Sequence, residues 1–216
     1  MTKHSLSPLR LCGALCLALL ASAGCGKQST NTAVDMTSAS ADMTGAAADM
    51  TGASADLTSP SADMTGTICA LAKPPADGAK ALVGTWVSEG ADVAPLLAKD
   101  PANIIKLSAA FAANSTYTVD ATVKGGTIIQ FTGAYTTTPT AVAGILGIKL
   151  VQSKPSAITS EGMFLIDTNP TPNRMYYEVI QTQPPIMGVT PPKAEACFGS
   201  TGGVAAGSNI QKYTRQ

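Results

Sequence analysis

Every Phe, Tyr and Trp of this 216-residue chain lies between Trp86 and Tyr213, and no other feature of the sequence limits its fold so sharply. Aromatic side chains dominate the energetics of protein cores, and a stretch without them has little apolar surface to set against the entropy lost on ordering. Only the C-terminal part can therefore build an aromatic-supported core. The length allows one domain and a tether, or two very small domains, and the placement of the aromatics predicts the first.

Within that part apolar residues alternate with polar ones between turn signals. Ala81 to Ser88 is the first strand candidate, and the stretch around Asp92-Val93-Ala94-Pro95 is read as one short helix. Ile105, Leu107, Ala109 and Phe111 alternate with Lys106, Ser108 and Ala110, the period of two that marks a half-buried strand. After the turn at Asn114-Ser115, Tyr117, Val119, Ala121 and Val123 alternate with Thr118, Asp120 and Thr122, and Lys124-Gly125-Gly126-Thr127 reverses the chain into a hairpin. Ile129, Phe131 and Tyr135 continue on the next strand, while Ile148/Leu150, Phe164/Ile166, Met175/Tyr177/Val179 and Ile210/Lys212/Thr214 mark four more. About eight strands between Pro- and Gly-rich turns predict an all-β domain, an antiparallel up-and-down β-barrel, with a β-sandwich as the alternative.

Ahead of this domain, residues 28 to 68 carry Asp35, Asp42, Asp49, Asp56 and Asp63 and no Lys or Arg. These Asp head a seven-residue repeat, Asp-Met-Thr or Asp-Leu-Thr, in which Met36, Met43, Met50, Leu57 and Met64 are the large apolar residues. A coiled-coil seam needs two such positions per heptad, and this repeat offers one among helix-poor Gly, Ser and Thr. The segment cannot bury enough surface to order itself and reads as an acidic, disordered stalk over 25–68, with a mean span on the order of 35 Å. Its methionines are too widely spaced for a compact Cu(I) ligand set. The folded domain is assigned to 69–216.

At the N-terminus, Lys3 and Arg10 precede the apolar run from Leu11 to Leu20 and the small residues Ala21-Ser22-Ala23-Gly24. This is the pattern of a secretory signal peptide, assigned to 1–24. The segment Ser22-Ala23-Gly24-Cys25 resembles the bacterial lipobox, with Ser22 where that motif usually has Leu. The resemblance implies a diacylglycerol on Cys25 and a chain held in the bacterial cell envelope by a lipid anchor, with the outer membrane expected and the domain in the periplasm or at the cell surface. Gly26 merely lacks the Asp that resembles a retention signal in some bacteria, and the inner membrane is the alternative. Ordinary cleavage with a free Cys25 is the competing reading.

Removing the signal peptide takes away Cys12, Cys16 and His4, the only histidine. The mature chain then lacks Ser-His-Asp, Cys-His and His-zinc chemistry, and its carboxylates are too sparse for a general acid and base pair, so no enzyme and no cofactor are expected. Asp120 and Glu178, opposite in phase to apolar neighbours, are expected to face water. Cys69 and Cys197 remain, and two exported cysteines invite a disulfide; separate thiols or pairing with another chain are the alternatives. From Cys69 onward the basic residues exceed the acidic ones by two, 11 − 9, without a cluster, which argues against a nucleic-acid partner. Asn114-Ser115-Thr116 matches a glycosylation sequon by chance. No protein partner is specified.

Gly84-Thr85-Trp86 on the first strand and Arg215 at the end of the last resemble the signature of the calycins, the lipocalin-like barrels. Asp167-Thr168-Asn169 ahead of Tyr176 is loosely similar to that family's Thr-Asp-x-x-Asn-Tyr turn, with a different order and with Pro170 and Pro172 intervening. The resemblance implies Trp86 packed across a closed end with the Arg215 guanidinium over its ring, and a small apolar ligand or lipid held inside. Alternation supplies the inward residues for that site, Leu107, Phe111, Tyr117, Phe131 and Tyr177, around a cavity of roughly 300 Å³ or more. The rival is a non-catalytic envelope interaction module whose barrel is filled by its own side chains. The loop from Gln183 to Pro192, pinned by two Pro pairs, is either a lid or contact surface or a cover for a barrel edge through Ile186, Met187 and Val189. The stretch Ala141 to Gly147 is either a flexible mouth or a buried crossing.

Overall fold

The computed structural model describes residues 68–70 and 72–216. The segment 1–24 assigned to a signal peptide, the residue Cys25 expected to carry a lipid and the heptad repeats lie outside the described residues. Eight strands follow one another: β1 (Gly84–Glu89), β2 (Ile104–Phe111), β3 (Thr116–Val123), β4 (Ile128–Pro139), β5 (Leu146–Lys154), β6 (Ile158–Asp167), β7 (Arg174–Gln183) and β8 (Gln211–Arg215). Each pairs antiparallel with the next, and β8 returns to β1 through Trp86↔Arg215 and Val87↔Thr214. The sheet is a closed up-and-down barrel, as the alternation predicts, and closure removes the edges that a sandwich would keep.

Local chemistry explains the turns. Gly125 and Gly126 sit at φ 99 and 88 between β3 and β4, a conformation in which only glycine avoids strain. Between β2 and β3 the Asn114 carboxamide oxygen accepts from the Thr116 N–H at 3.2 Å and from its hydroxyl at 2.7 Å, so the sequon-like triplet is a turn built by an Asn side chain.

Three sequence expectations are corrected. The first strand begins at Gly84, because Ala81 and Leu82 belong to a helical turn, α1 (Gly78–Leu82), whose N-cap Asp77 accepts the Lys80 N–H at 3.0 Å. That bond is the leading cause holding the Asp77 carboxyl below its ordinary pKa. On β2 a register shift between Ile104 and Lys106 puts Ile104 inside and leaves Ile105 47% exposed; a bulge breaks the period of two at the strand's entry. Glu178, expected to face water, is wholly buried. Its outward phase is correct, but the chain after β7 folds back over that face and donates to its carboxylate from Gly199 N at 2.6 Å, from Thr201 N at 2.9 Å and from the Thr201 hydroxyl. Asp120, by contrast, is half-buried and accepts from Gln130 Nε2 at 2.8 Å.

The folding-back segment makes a second apolar layer outside the barrel. Phe164 and Ile166 of β6 point into the interior cluster with Trp86, Leu107, Tyr117 and Tyr213, whereas Met163 and Leu165 join Ile145, Phe198 and Ile210 outside it. Ile68, Cys69 and Ala72 pack on this outer cluster. In the stretch from Ala141 to Gly147 only Ile145 is buried, at 1% exposure, with its carbonyl accepting from the Thr140 hydroxyl at 2.8 Å. Ala141 and Ala143 are exposed, so the stretch is anchored at one residue and is neither wholly a mouth nor a buried crossing. Elsewhere the outward positions include Lys106, Ser108, Thr118, Asp120, Gln130 and Thr132 together with the exposed apolar Ile105, Ile128 and Val151, so these strands carry no continuous apolar outer band of the kind a membrane-spanning barrel has.

Candidate ligand cavity

One end of the barrel is sealed. Trp86 is fully buried, its indole N–H donates to the Leu82 carbonyl at 2.8 Å, and the Arg215 guanidinium carbon stands 5.4 Å from the ring centroid. The same guanidinium donates to the carbonyls of Ala81 and Val83, each at 2.9 Å. Gly84 makes this possible: its φ is +138, and a Cβ there would come within 3.0 Å of Arg215 Nη2. The turn Asp167-Thr168-Asn169 lies at this end too, and it holds the chain entering the barrel by accepting Lys73 N on Asp167 at 2.9 Å.

Toward the other end the interior opens into a cavity of about 210 Å³. Leu107, Tyr117, Phe131 and Tyr177 line it. Phe111 does not, because it pairs with Gly84 at the sealed end and its ring meets Tyr135 edge-on at 5.2 Å. Alternation gives a residue's face and not its height along the barrel axis. The volume falls short of the roughly 300 Å³ expected of a drug-sized site.

Two segments roof the cavity. Leu96 and Leu97 come from the short helix α2 (Pro95–Ala98), and Ile186, Val189 and Val204 come from the connection between β7 and β8. The Leu96 N–H donates to the Ser208 carbonyl at 2.9 Å and joins them. Gln211 fixes α2 from below, accepting from Ala94 N at 2.9 Å and donating to the Asp92 carbonyl at 3.1 Å and to the Ser88 hydroxyl. Of the three apolar residues in the Pro-paired loop, Ile186 and Val189 turn toward the cavity and Met187 stands 95% exposed. Cys69 and Cys197 form a disulfide with Cα atoms 6.3 Å apart, tying the roofing connection to the chain just ahead of the barrel.

The lining carries no charged side chain; its polar members are the amides of Gln152, Gln181 and Asn209, the Ser160 hydroxyl and the phenols of Tyr117, Tyr177 and Tyr213. Burial pushes the Tyr177 and Tyr213 phenols above their ordinary pKa, and proximity of Tyr213 and Tyr117 adds to the shift at Tyr177. Gln152 and Gln181 carried a readable signal, since each continues the apolar face of Leu150 and Val179 by two residues. Asn209, outside any strand, carried none. Among the described residues no three His, Cys, Asp or Glu side chains gather to hold a metal.

Fold and site together define a class: a closed eight-stranded antiparallel barrel with one sealed end and one roofed cavity, compatible with a lipocalin-like fold. In comparisons with known proteins, no family model, no curated protein and no solved structure matches the chain.

Proposed function

We propose that this protein is a bacterial envelope lipoprotein whose lipocalin-like barrel holds a small apolar ligand and catalyses no reaction. In this reading a lipid on Cys25 anchors the chain in the outer membrane, and the acidic segment 25–68 spaces the domain from the surface. The cavity carries the binding part. An eight-stranded barrel is just wide enough either to be filled by its own side chains or to hold one small ligand, and about 210 Å³ under an apolar roof favours the second.

Titration of the purified protein with an environment-sensitive apolar dye tests it. One saturable site is expected, weakened more than about tenfold by Phe131→Glu, which sets an unpaired charge against the cavity. Absence of saturable binding favours the filled interaction module. The anchor is tested separately by labelled fatty acid in a bacterial host: Cys25→Ser abolishes incorporation and releases the protein from membranes, and persistent labelling rejects that residue.

A further inference from the structure

We infer that the cavity is built for an uncharged ligand that donates a hydrogen bond from a compact apolar body, an alcohol or phenol rather than a carboxylate. This rests on the binding reading above and narrows its ligand class.

The polar side chains of the lining are not scattered. Ser160 on β6 registers with Gln181 on β7 and with Leu150 on β5, two residues before Gln152. Three polar groups thus form a band across adjacent strands near the roof. Asn209 lies beside it, donating to the Val179 carbonyl of β7 at 3.0 Å.

The orientation of the amides is set by their partners. Gln152 Nε2 donates to the Ser156 carbonyl at 3.0 Å and Gln181 Nε2 to the Pro184 carbonyl at 2.6 Å, while Asn209 Nδ2 also reaches the Thr201 hydroxyl at 3.3 Å. A backbone carbonyl only accepts, so each bond holds the nitrogen end against the frame and leaves the oxygen end over. Gln181 and Asn209 are 4% and 7% exposed. Among the described residues neither of their amide oxygens receives a hydrogen bond, yet no fully buried side-chain oxygen lacks a partner. These oxygens are therefore not fully buried, and on the side chains that line the cavity they stand as acceptors. The Tyr177 and Tyr213 hydroxyls of the same lining can donate, so a ligand hydroxyl, donor and acceptor in one group, answers both.

Charge is handled differently. No Lys, Arg, Asp or Glu lines the cavity, and Arg215 is held at the sealed end by Ala81 and Val83. A carboxylate under Leu96, Ile186 and Val189 would leave water without a cation to pair with, a strongly unfavourable transfer. Size completes the description. An apolar cavity of about 150 Å³ holds benzene, so about 210 Å³ suits a ring with a short substituent.

Isothermal titration of the purified full-length protein with para-ethylphenol, para-ethylanisole and para-ethylbenzoate compares a donor, an acceptor and an anion of similar size. The phenol is expected to bind at least about tenfold more tightly than the other two, since a site built to bond a hydroxyl rejects analogues lacking it. Gln181→Met should lower phenol affinity toward that of the anisole and change phenol affinity more than it changes anisole affinity, which narrows the gap between the two; Gln152→Met serves if that variant does not fold, as judged by circular dichroism. Equal or tighter binding of the anisole or the benzoate overturns the inference, as does unchanged phenol affinity in the folded variant. Dye binding without binding of any of the three overturns the inference alone. Failure of the dye as well removes the binding reading itself.

Discussion

Arg215 closes the barrel with one planar group doing three things: its face covers the Trp86 ring and its two outer nitrogens hold the carbonyls of α1's end. Lysine has the charge without the fork, so Arg215→Lys should cost about 1–3 kcal/mol in urea unfolding, by loss of charge-assisted bonds. Glu178 is the residue whose role the sequence concealed. It accepts only donors, and Glu178→Gln, which replaces one acceptor oxygen by an N–H group, should cost about 2 kcal/mol. The buried phenols give a pH dependence whose sign is fixed. Unfolded tyrosines ionise near 10, whereas Tyr177 and Tyr213 hold their protons beyond that point. Above about pH 10 the unfolded chain has lost protons that the fold retains, so stability is fully present below that pH and falls as pH rises above it. Unfolding midpoints across alkaline pH should show this decline, and Tyr177→Phe with Tyr213→Phe should flatten it; full phenolate absorbance near pH 10 in the intact fold would contradict the burial account.

Among the elements, β2 shows how a bulge re-aims a strand. Its alternation is legible from Leu107 to Phe111, but the register shift at its entry exchanges Ile104 for Ile105 as the inward residue. Ile104→Ala should therefore cost about 2–5 kcal/mol, while Ile105→Ala stays within about 0.5 kcal/mol, and equal losses in the two variants would reject the bulge. The connection from β7 to β8 combines a roof and a tip. Ile186→Asp should abolish dye binding, whereas Met187→Ser leaves both binding and stability unchanged, because Met187 is 95% exposed. Proline pairs made this loop recognisable. Which of its apolar side chains turned inward depended on where α2 and Ser208 met above the barrel.

At the scale of the whole molecule the disulfide joins residues 128 apart in sequence, and the chain-entropy account gives such a closure about 5 kcal/mol. Cys69→Ser should lower the unfolding free energy by several kcal/mol and loosen the outer layer of Phe198, Met163 and Leu165, seen as faster amide exchange across residues 194–210; unchanged stability would mean that the outer layer holds without its clasp. By itself the sequence determined most of the strands and their antiparallel succession, because alternation and turn chemistry are local properties, and it offered Cys69 and Cys197 as a pair only through the expectation that the N-terminal cysteines are removed or lipidated. The resemblance to the calycins, and not any period or spacing, marked Trp86 and Arg215, which lie at opposite ends of the domain and meet through closure of β1 on β8. Only the tertiary structure decided which outward faces are covered, as at Glu178, how high along the axis each inward residue sits, as at Phe111, and whether the interior stays open. Those outcomes depend on strand register and on segments distant in sequence folding across one another, and neither is written in the period of a single strand.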